Sequence, residues 1–205
     1  SPANIECAGL AGDRWYNAVY MDQRWAEYEN SIMYIDPAGR GEDQTGYCVA
    51  RLLNGIIHIP ECDGLEGGHS DDTLAKLATI AAQYGVKTVI VESNWGDGMY
   101  GKLLQPHLAR LAGSVAVEEK RNKGQKELRI IDTLEPAMAQ HRICVSTKVA
   151  KNATLGNQVS RITRDKDSLR HDDQVEALAG AVGWYKDMMA LDSSDRVDTL
   201  EKLQM

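Results

Sequence analysis

Thr45-Gly46-Tyr47-Cys48-Val49-Ala50-Arg51-Leu52-Leu53-Asn54-Gly55-Ile56-Ile57-His58-Ile59 is the stretch that decides the fold class. Two runs of β-forming residues, 45–53 and 55–59, meet at Asn54-Gly55, and both of these residues tolerate the positive φ that a tight hairpin turn demands. On the N-terminal side, residues 31–35 make a further short β-forming run that stops at Asp36-Pro37. On the C-terminal side the period changes. Ser70-Asp71-Asp72 has the chemistry of a helix cap, and Leu74, Leu77, Ala78 and Ala81 recur at helical spacing as far as Gly85. Residues 88–91 are a nearly continuous apolar run, as expected of a strand covered on both faces. Helices are then predicted over 99–111, 125–140, 154–162 and 172–189, with strands over 114–117 and 143–145. The order β-β-β-α-β-α-β-α-β-α-α describes an α/β fold: a central sheet of mixed direction flanked by helices.

Residues 1–30 interleave aromatic and charged side chains (Trp15, Tyr16, Tyr20, Trp25, Tyr28) and read as a partly helical lead-in segment. Residues 31–190 hold the folded domain. Residues 191–205 are polar and acidic, without a core pattern, and read as a loosely held tail. The chain opens on Ser1 rather than Met, as expected of a piece of a longer protein, and its start lacks the pattern of a signal peptide. No apolar run approaches the length that spans a bilayer, so no membrane association is expected. Cys7, Cys48, Cys62 and Cys144 form no C-x-x-C pair, which argues against structural zinc. Cys48 and Cys144 lie in apolar runs and are expected in the core, which fits a reducing compartment.

A formal net charge of −7 counts against a nucleic-acid partner when taken alone. The distribution counts for one. Lys120, Arg121, Lys123, Lys126 and Arg129 cluster in one segment, and Lys148, Lys151, Arg161 and Arg164 make a looser second group. A charge run is usually a solvated face, but the first cluster follows a strand and suits phosphate contacts that carry no sequence preference.

Carboxylates sit at the points where such a sheet places its functional groups. Asp36 ends the first strand and Glu92 the fourth, beyond which the ligand crevice of an open α/β sheet lies. Asp172-Asp173 starts the last long helix, where the helix dipole favours negative charge. Each has an ordinary role available: a turn residue before proline, an ion-paired strand end, a helix cap. Together they suit hard divalent cations such as Mg²⁺ or Mn²⁺, which take oxygen ligands. Two such ions about 3.5–4 Å apart need at least three carboxylates, one of them bridging.

The segments Asp36-Pro37-Ala38-Gly39 to Asp43-Gln44-Thr45-Gly46, Val91-Glu92-Ser93-Asn94, and His171-Asp172-Asp173-Gln174-Val175-Glu176-Ala177-Leu178 resemble the nuclease domain of the large terminase subunit of tailed bacteriophages. Leu134-Glu135-Pro136 and His141-Arg142-Ile143 are similar too, so the likeness spans about residues 31–185. The resemblance implies a ribonuclease-H-like fold. It also implies a metal-dependent endonuclease that cuts concatemeric double-stranded phage DNA during genome packaging in the host cytoplasm, with two Mg²⁺ or Mn²⁺ ions driving in-line hydrolysis. It assigns Asp36 as the bridging ligand, Glu92 as the second acid and Asp173 as the third, with Asp172 ligating or tuning beside it. Asp43, Asp97 and His171 become supporting candidates around the ligands. The implied partners are an N-terminal packaging ATPase domain, a small terminase subunit and the portal.

Three alternatives stay open at this point, one of them a non-catalytic docking module of the packaging motor whose acids serve only as caps and ion pairs. A Holliday-junction resolvase or ribonuclease H shares the fold and metal chemistry. A nucleotide-binding protein is suggested by Gly96-Asp97-Gly98-Met99-Tyr100-Gly101-Lys102-Leu103, which nearly completes a phosphate-binding loop. Leu103 stands where that motif needs a hydroxyl for Mg²⁺, so these glycines are expected instead to let the following helix approach the acids.

Overall fold

The computed structural model describes the backbone of residues 7–8, 15–16, 26–38, 44–93 and 98–203, and the side chains of 26–38, 44–93 and 98–189. In the lead-in segment, β1 (Cys7–Ala8) pairs antiparallel with β2 (Trp15–Tyr16), and the partly helical reading otherwise falls mostly outside the described residues. The main sheet has six strands: β3 (Asn30–Asp36), β4 (Thr45–Leu53), β5 (Ile56–Leu65), β6 (Thr88–Glu92), β7 (Ala116–Lys120) and β8 (Ile143–Val145). Their order is β7-β6-β3-β4-β5-β8. Only β4 runs against its neighbours; the β3–β6, β6–β7 and β5–β8 pairs are parallel. The β4–β5 turn is the expected one, with φ of 51° at Asn54 and 74° at Gly55.

Strand alternation sorts the core into two layers. Met33, Ile35, Tyr47, Val49, Val89 and Val91 face α1 (Asp71–Gln83) and α2 (Met99–Leu111). Ile32, Tyr34, Cys48, Ala50 and Ile90 face the other side. That side is covered by α3 (Lys126–Ala139), the short α4 (Thr147–Ala150), α5 (Ala153–Arg161) and α6 (Asp173–Leu203). Ser70 caps α1 as expected, its hydroxyl accepting from the Thr73 amide.

Several boundaries differ from the sequence-based expectation. β5 continues through Pro60 to Leu65. Proline is tolerated there because β8 pairs only with Ile57–Ile59, and because the register against β4 shifts between Val49 and Arg51, opposite this point. Beyond β8, side chains take over: Ser146 Oγ donates to the Pro60 carbonyl at 2.8 Å and Asn152 Nδ2 to the Cys62 carbonyl at 3.2 Å. β7 spans 116–120 rather than 114–117, because an edge strand can carry charges such as Glu118, Glu119 and Lys120 that read as loop. α6 runs on to Leu203 instead of ending near Met189. Cys48 is buried, but Cys144 is exposed on β8; Cys62, directly opposite Cys48 in the ladder, is also buried.

Away from the strand ends that carry the acids, buried Glu61 ties three elements together. It accepts from Tyr47 and Tyr84 at 2.9 Å each and from Lys148 Nζ at 2.7 Å. Burial alone would raise its pKa; the bonds from Lys148, Tyr84 and Tyr47 outweigh it and hold the carboxyl below the ordinary value. A depressed folded-state pKa contributes stability that is present above the unfolded value of about 4.3 and is lost as pH falls through the folded value. Glu61→Gln is therefore expected to lower stability near neutral pH by about 1–2 kcal/mol and to flatten the acid side of the stability profile. Parallel profiles for the two proteins in pH-dependent thermal unfolding would refute this role.

Candidate active site

The β3–β6 register builds the site. The last aligned pair is Ile35 with Val91, so Asp36 and Glu92 stand one step beyond it on neighbouring parallel strands. Asp36 lies two residues after Tyr34 and Glu92 two after Ile90, so both point to the face that α6 covers. Asp36 is 6% exposed and Glu92 2%. On the other side of Asp36, its partner in β4 is Gly46. Asp173, the first residue of α6, sits against that glycine: a Cβ at position 46 would overlap the Asp173 backbone carbonyl. Asp36, Glu92 and Asp173 therefore converge from two strand ends and one helix start.

A fourth carboxylate joins the cluster, one that the sequence motifs assign no role. Glu176, 2% exposed, lies three residues after Asp173 and four after Asp172, on the same side of the first helical turn. That spacing is the signal by which the sequence carries it. Buried Asp36 has its pKa raised well above the ordinary range, by burial first and then by the negative charges of Glu176, Glu92 and Asp173, with Lys126 opposing. The Glu176 carboxyl is raised as well, by burial and then by Glu92, against Lys126 and Arg129.

Two members of the basic cluster turn inward to these acids. Lys126 Nζ lies 3.0 Å from Asp172 Oδ1 and 2.7 Å from Glu176 Oε2. Arg129 pairs with Glu176 and, at 3.4 Å, with Glu92 Oε1. Burial would lower the Lys126 pKa, but Glu176 and then Asp172 push it up, so the ammonium stays charged. Lys126 and Arg129 thus differ from the expected outward-facing grip. Among the described residues, no group of three or more His, Cys, Asp or Glu side chains stands in a ready-made ion geometry. The donor set nevertheless fits a hard divalent cation. It is made of carboxylate oxygens, buried, and negative enough that two protein cations gather on it.

The remaining predicted residues scatter around this centre. Asp172 directs its side chain to Lys126. His171 is exposed just before α6. Lys120 ends β7 in register with Glu92 and pairs with the exposed Asp187 at 3.0 Å. Arg121 and Lys123 are exposed in the segment after it. Asp43 and Asp97 lie outside the described residues. Of the glycine-rich segment, residues 94–97 lie outside the described residues, and the rest differs from the expected approach to the acids: Gly98 caps α2 with φ of 83° and packs on Glu119, which aligns with Val91 on the sheet face away from Asp36 and Glu92.

This arrangement can be set beside known proteins. The family described as Terminase Bacteriophage T7, Ribonuclease H-like domain, matches residues 35–143, more than half of the chain. The chain belongs to this terminase nuclease family. It is 40% identical over 200 residues to the large terminase subunit of Enterobacteria phage T3, covering 90% of this chain and 34% of that protein. It therefore spans about a third of the length of that curated relative. The human cytomegalovirus terminase nuclease domain superposes with a TM-score of 0.59 at 15% identity, over 80% of this chain and 86% of that one. The large terminase nuclease of thermophilic phage G20c gives 0.58 at 19% identity, over 75% and 81%. At that level of identity the two structures speak to the fold, which is the ribonuclease-H-like fold expected from the motifs. Membership in the family decides against the resolvase and nucleotide-binding alternatives.

Proposed function

We propose that this terminase nuclease domain is the endonuclease that cuts concatemeric double-stranded phage DNA during packaging, using two divalent ions, Mg²⁺ or Mn²⁺. The observation that carries the reading is the meeting of Asp36, Glu92, Asp173 and Glu176 at the strand ends of a terminase-family fold. Asp36, central in the row, would bridge the two ions. Glu92 would hold one, and Asp173 with Asp172 or Glu176 the other. Bound ions would supply an activated water and neutralise charge on the phosphorane-like transition state. The cytomegalovirus nuclease domain was soaked with Mn, which is in keeping with this choice of ion. Lys126 and Arg129 keep the carboxylates together against their mutual repulsion, and Asp43, Asp97 and His171 stay candidates for orienting water or phosphate.

Lys120, Arg121 and Lys123 would contact the DNA backbone without reading sequence. Replacing Lys120 and Arg121 together with Ala should lower the slope of log affinity against log salt by up to about 2, since each phosphate contact contributes about 0.9. The Lys120–Asp187 pair is exposed and opposes this little. An unchanged slope in fluorescence-anisotropy titrations would overturn the assignment. In the whole protein, the partners would be a packaging ATPase domain N-terminal to this one, a small subunit and the portal, all in the host cytoplasm. Among the described residues no helix is long and apolar enough to cross a membrane. The direct test is relaxation of supercoiled plasmid in Mn²⁺ with and without chelator: chelator-sensitive nicking is expected, and its absence would refute the nuclease reading.

A further inference from the structure

Tyr34 lies fully buried beneath the acids, with its hydroxyl placed between two polar partners. It donates to Glu92 Oε2 at 3.2 Å and accepts from Asn122 Nδ2 at 3.0 Å. The hydroxyl thus uses one donor and one acceptor, and each has a defined direction. Its ring is fixed from above by α6, because a Cβ at Gly180 would overlap it, so the phenol cannot swing away from Glu92. The other Glu92 oxygen, Oε1, is met by Arg129 at 3.4 Å. The two oxygens of one carboxylate are therefore anchored differently: one by a neutral, immobile donor and the other by a longer contact to a guanidinium that is 24% exposed.

We propose that Tyr34, supported by Asn122, is a positioning residue that fixes the orientation of the Glu92 carboxylate through Oε2 and so tunes its capacity to hold a metal ion. The inference rests on the metal-dependent reading above. Hydrogen bonds behind a ligand commonly fix its orientation, and removing one typically weakens metal binding by about 10-fold or more. Asn122 lies between Arg121 and Lys123, so the same chain of bonds joins the exposed basic segment to a ligand of the metal.

Calorimetric titration of Mn²⁺ into the wild-type chain, Tyr34→Phe, Asn122→Ala and the double variant tests this. Tyr34→Phe keeps the ring under Gly180 and is expected to weaken Mn²⁺ binding about 10-fold. Asn122→Ala should weaken it less. The double variant should bind no more weakly than Tyr34→Phe, because Asn122 acts through the hydroxyl. A purely structural role would lower the Tm of each variant and leave affinity alone. Wild-type affinity in Tyr34→Phe, or an Asn122→Ala loss that persists in full on the Phe background, would overturn the inference while leaving the metal reading intact. Failure of the wild-type chain to bind Mn²⁺ would overturn both.

Discussion

Asp36→Asn is expected to reduce Mn²⁺-dependent nicking by about 100- to 1,000-fold and, in the absence of metal, to raise the melting temperature. The first effect follows from position: Asp36 lies between Glu92 and Gly46 under the start of α6, and an amide there cannot bridge two cations. The second follows from charge. Burial and the neighbouring carboxylates favour the protonated form of Asp36 in the folded state. For such a group the folded state is penalised once pH rises above the unfolded-state value of about 3.9, and the penalty grows until the raised pKa is passed. Near neutral pH the metal-free wild type carries this penalty, and Asn, nearly the same shape, does not. Relief of about 1 kcal/mol would move Tm by roughly 2–4 °C in a domain of this size. Mn²⁺ should then stabilise the wild type by mass action and the variant far less. A variant that nicks at the wild-type rate removes Asp36 from the reaction. A lower metal-free Tm would refute the charge argument while sparing the catalytic one.

Gly46→Ala should be nearly as damaging, without touching any carboxylate. The added methyl would meet the backbone carbonyl of Asp173, which no rotamer change can move. Either α6 lifts at its first turn or β4 shifts, and both displace Asp173 and Glu176 from Asp36. Overpacking of this kind costs about 1–3 kcal/mol. A displacement of about 1 Å at a reacting centre can cost about 100-fold in rate. Gly55→Ala is the control: Gly55 has φ of 74° and nothing near a Cβ, so its substitution strains a turn far from the acids. Both variants should melt earlier, but only Gly46→Ala should lose nicking when assayed well below its Tm. Equal activity in the two would separate Gly46 from the site.

The hairpin and the alternation that follows were legible because short-range chemistry dictates them: Asn54-Gly55 admits the turn and Ser70 caps a helix. Asp36, Glu92 and Asp173, the proposed ligands, stood out in the sequence because two close predicted strands and the third stands at the start of a predicted helix. What escaped depended on partners distant in sequence. Pro60 hid the second half of β5, since only the end of β8 and the bulge opposite make a proline harmless there. Glu118 and Glu119 hid the length of β7, since only its place at the sheet edge lets charges stay in a strand. Lys126 and Arg129 read as part of an outward basic face, because nothing local reveals that α3 lies beside α6 and aims them at Glu176 and Glu92. Glu176 itself was visible in the i+3 spacing from Asp173, but its chemistry depends on burial beside Glu92 and on contacts with Lys126 and Arg129 from α3.

The borders of the main sheet decide how copies of this domain behave toward each other. A free strand edge is a template for pairing with a second chain, and a route to aggregation. β7 closes one border with two glutamates and a lysine in five residues. β8 closes the other with three residues, and past it the open carbonyls of β5 at Pro60 and Cys62 are already bonded to Ser146 and Asn152. Neither border offers a long apolar run of unpaired backbone, so the sheet is finished within one molecule and resists extension by its neighbours even at high local concentration.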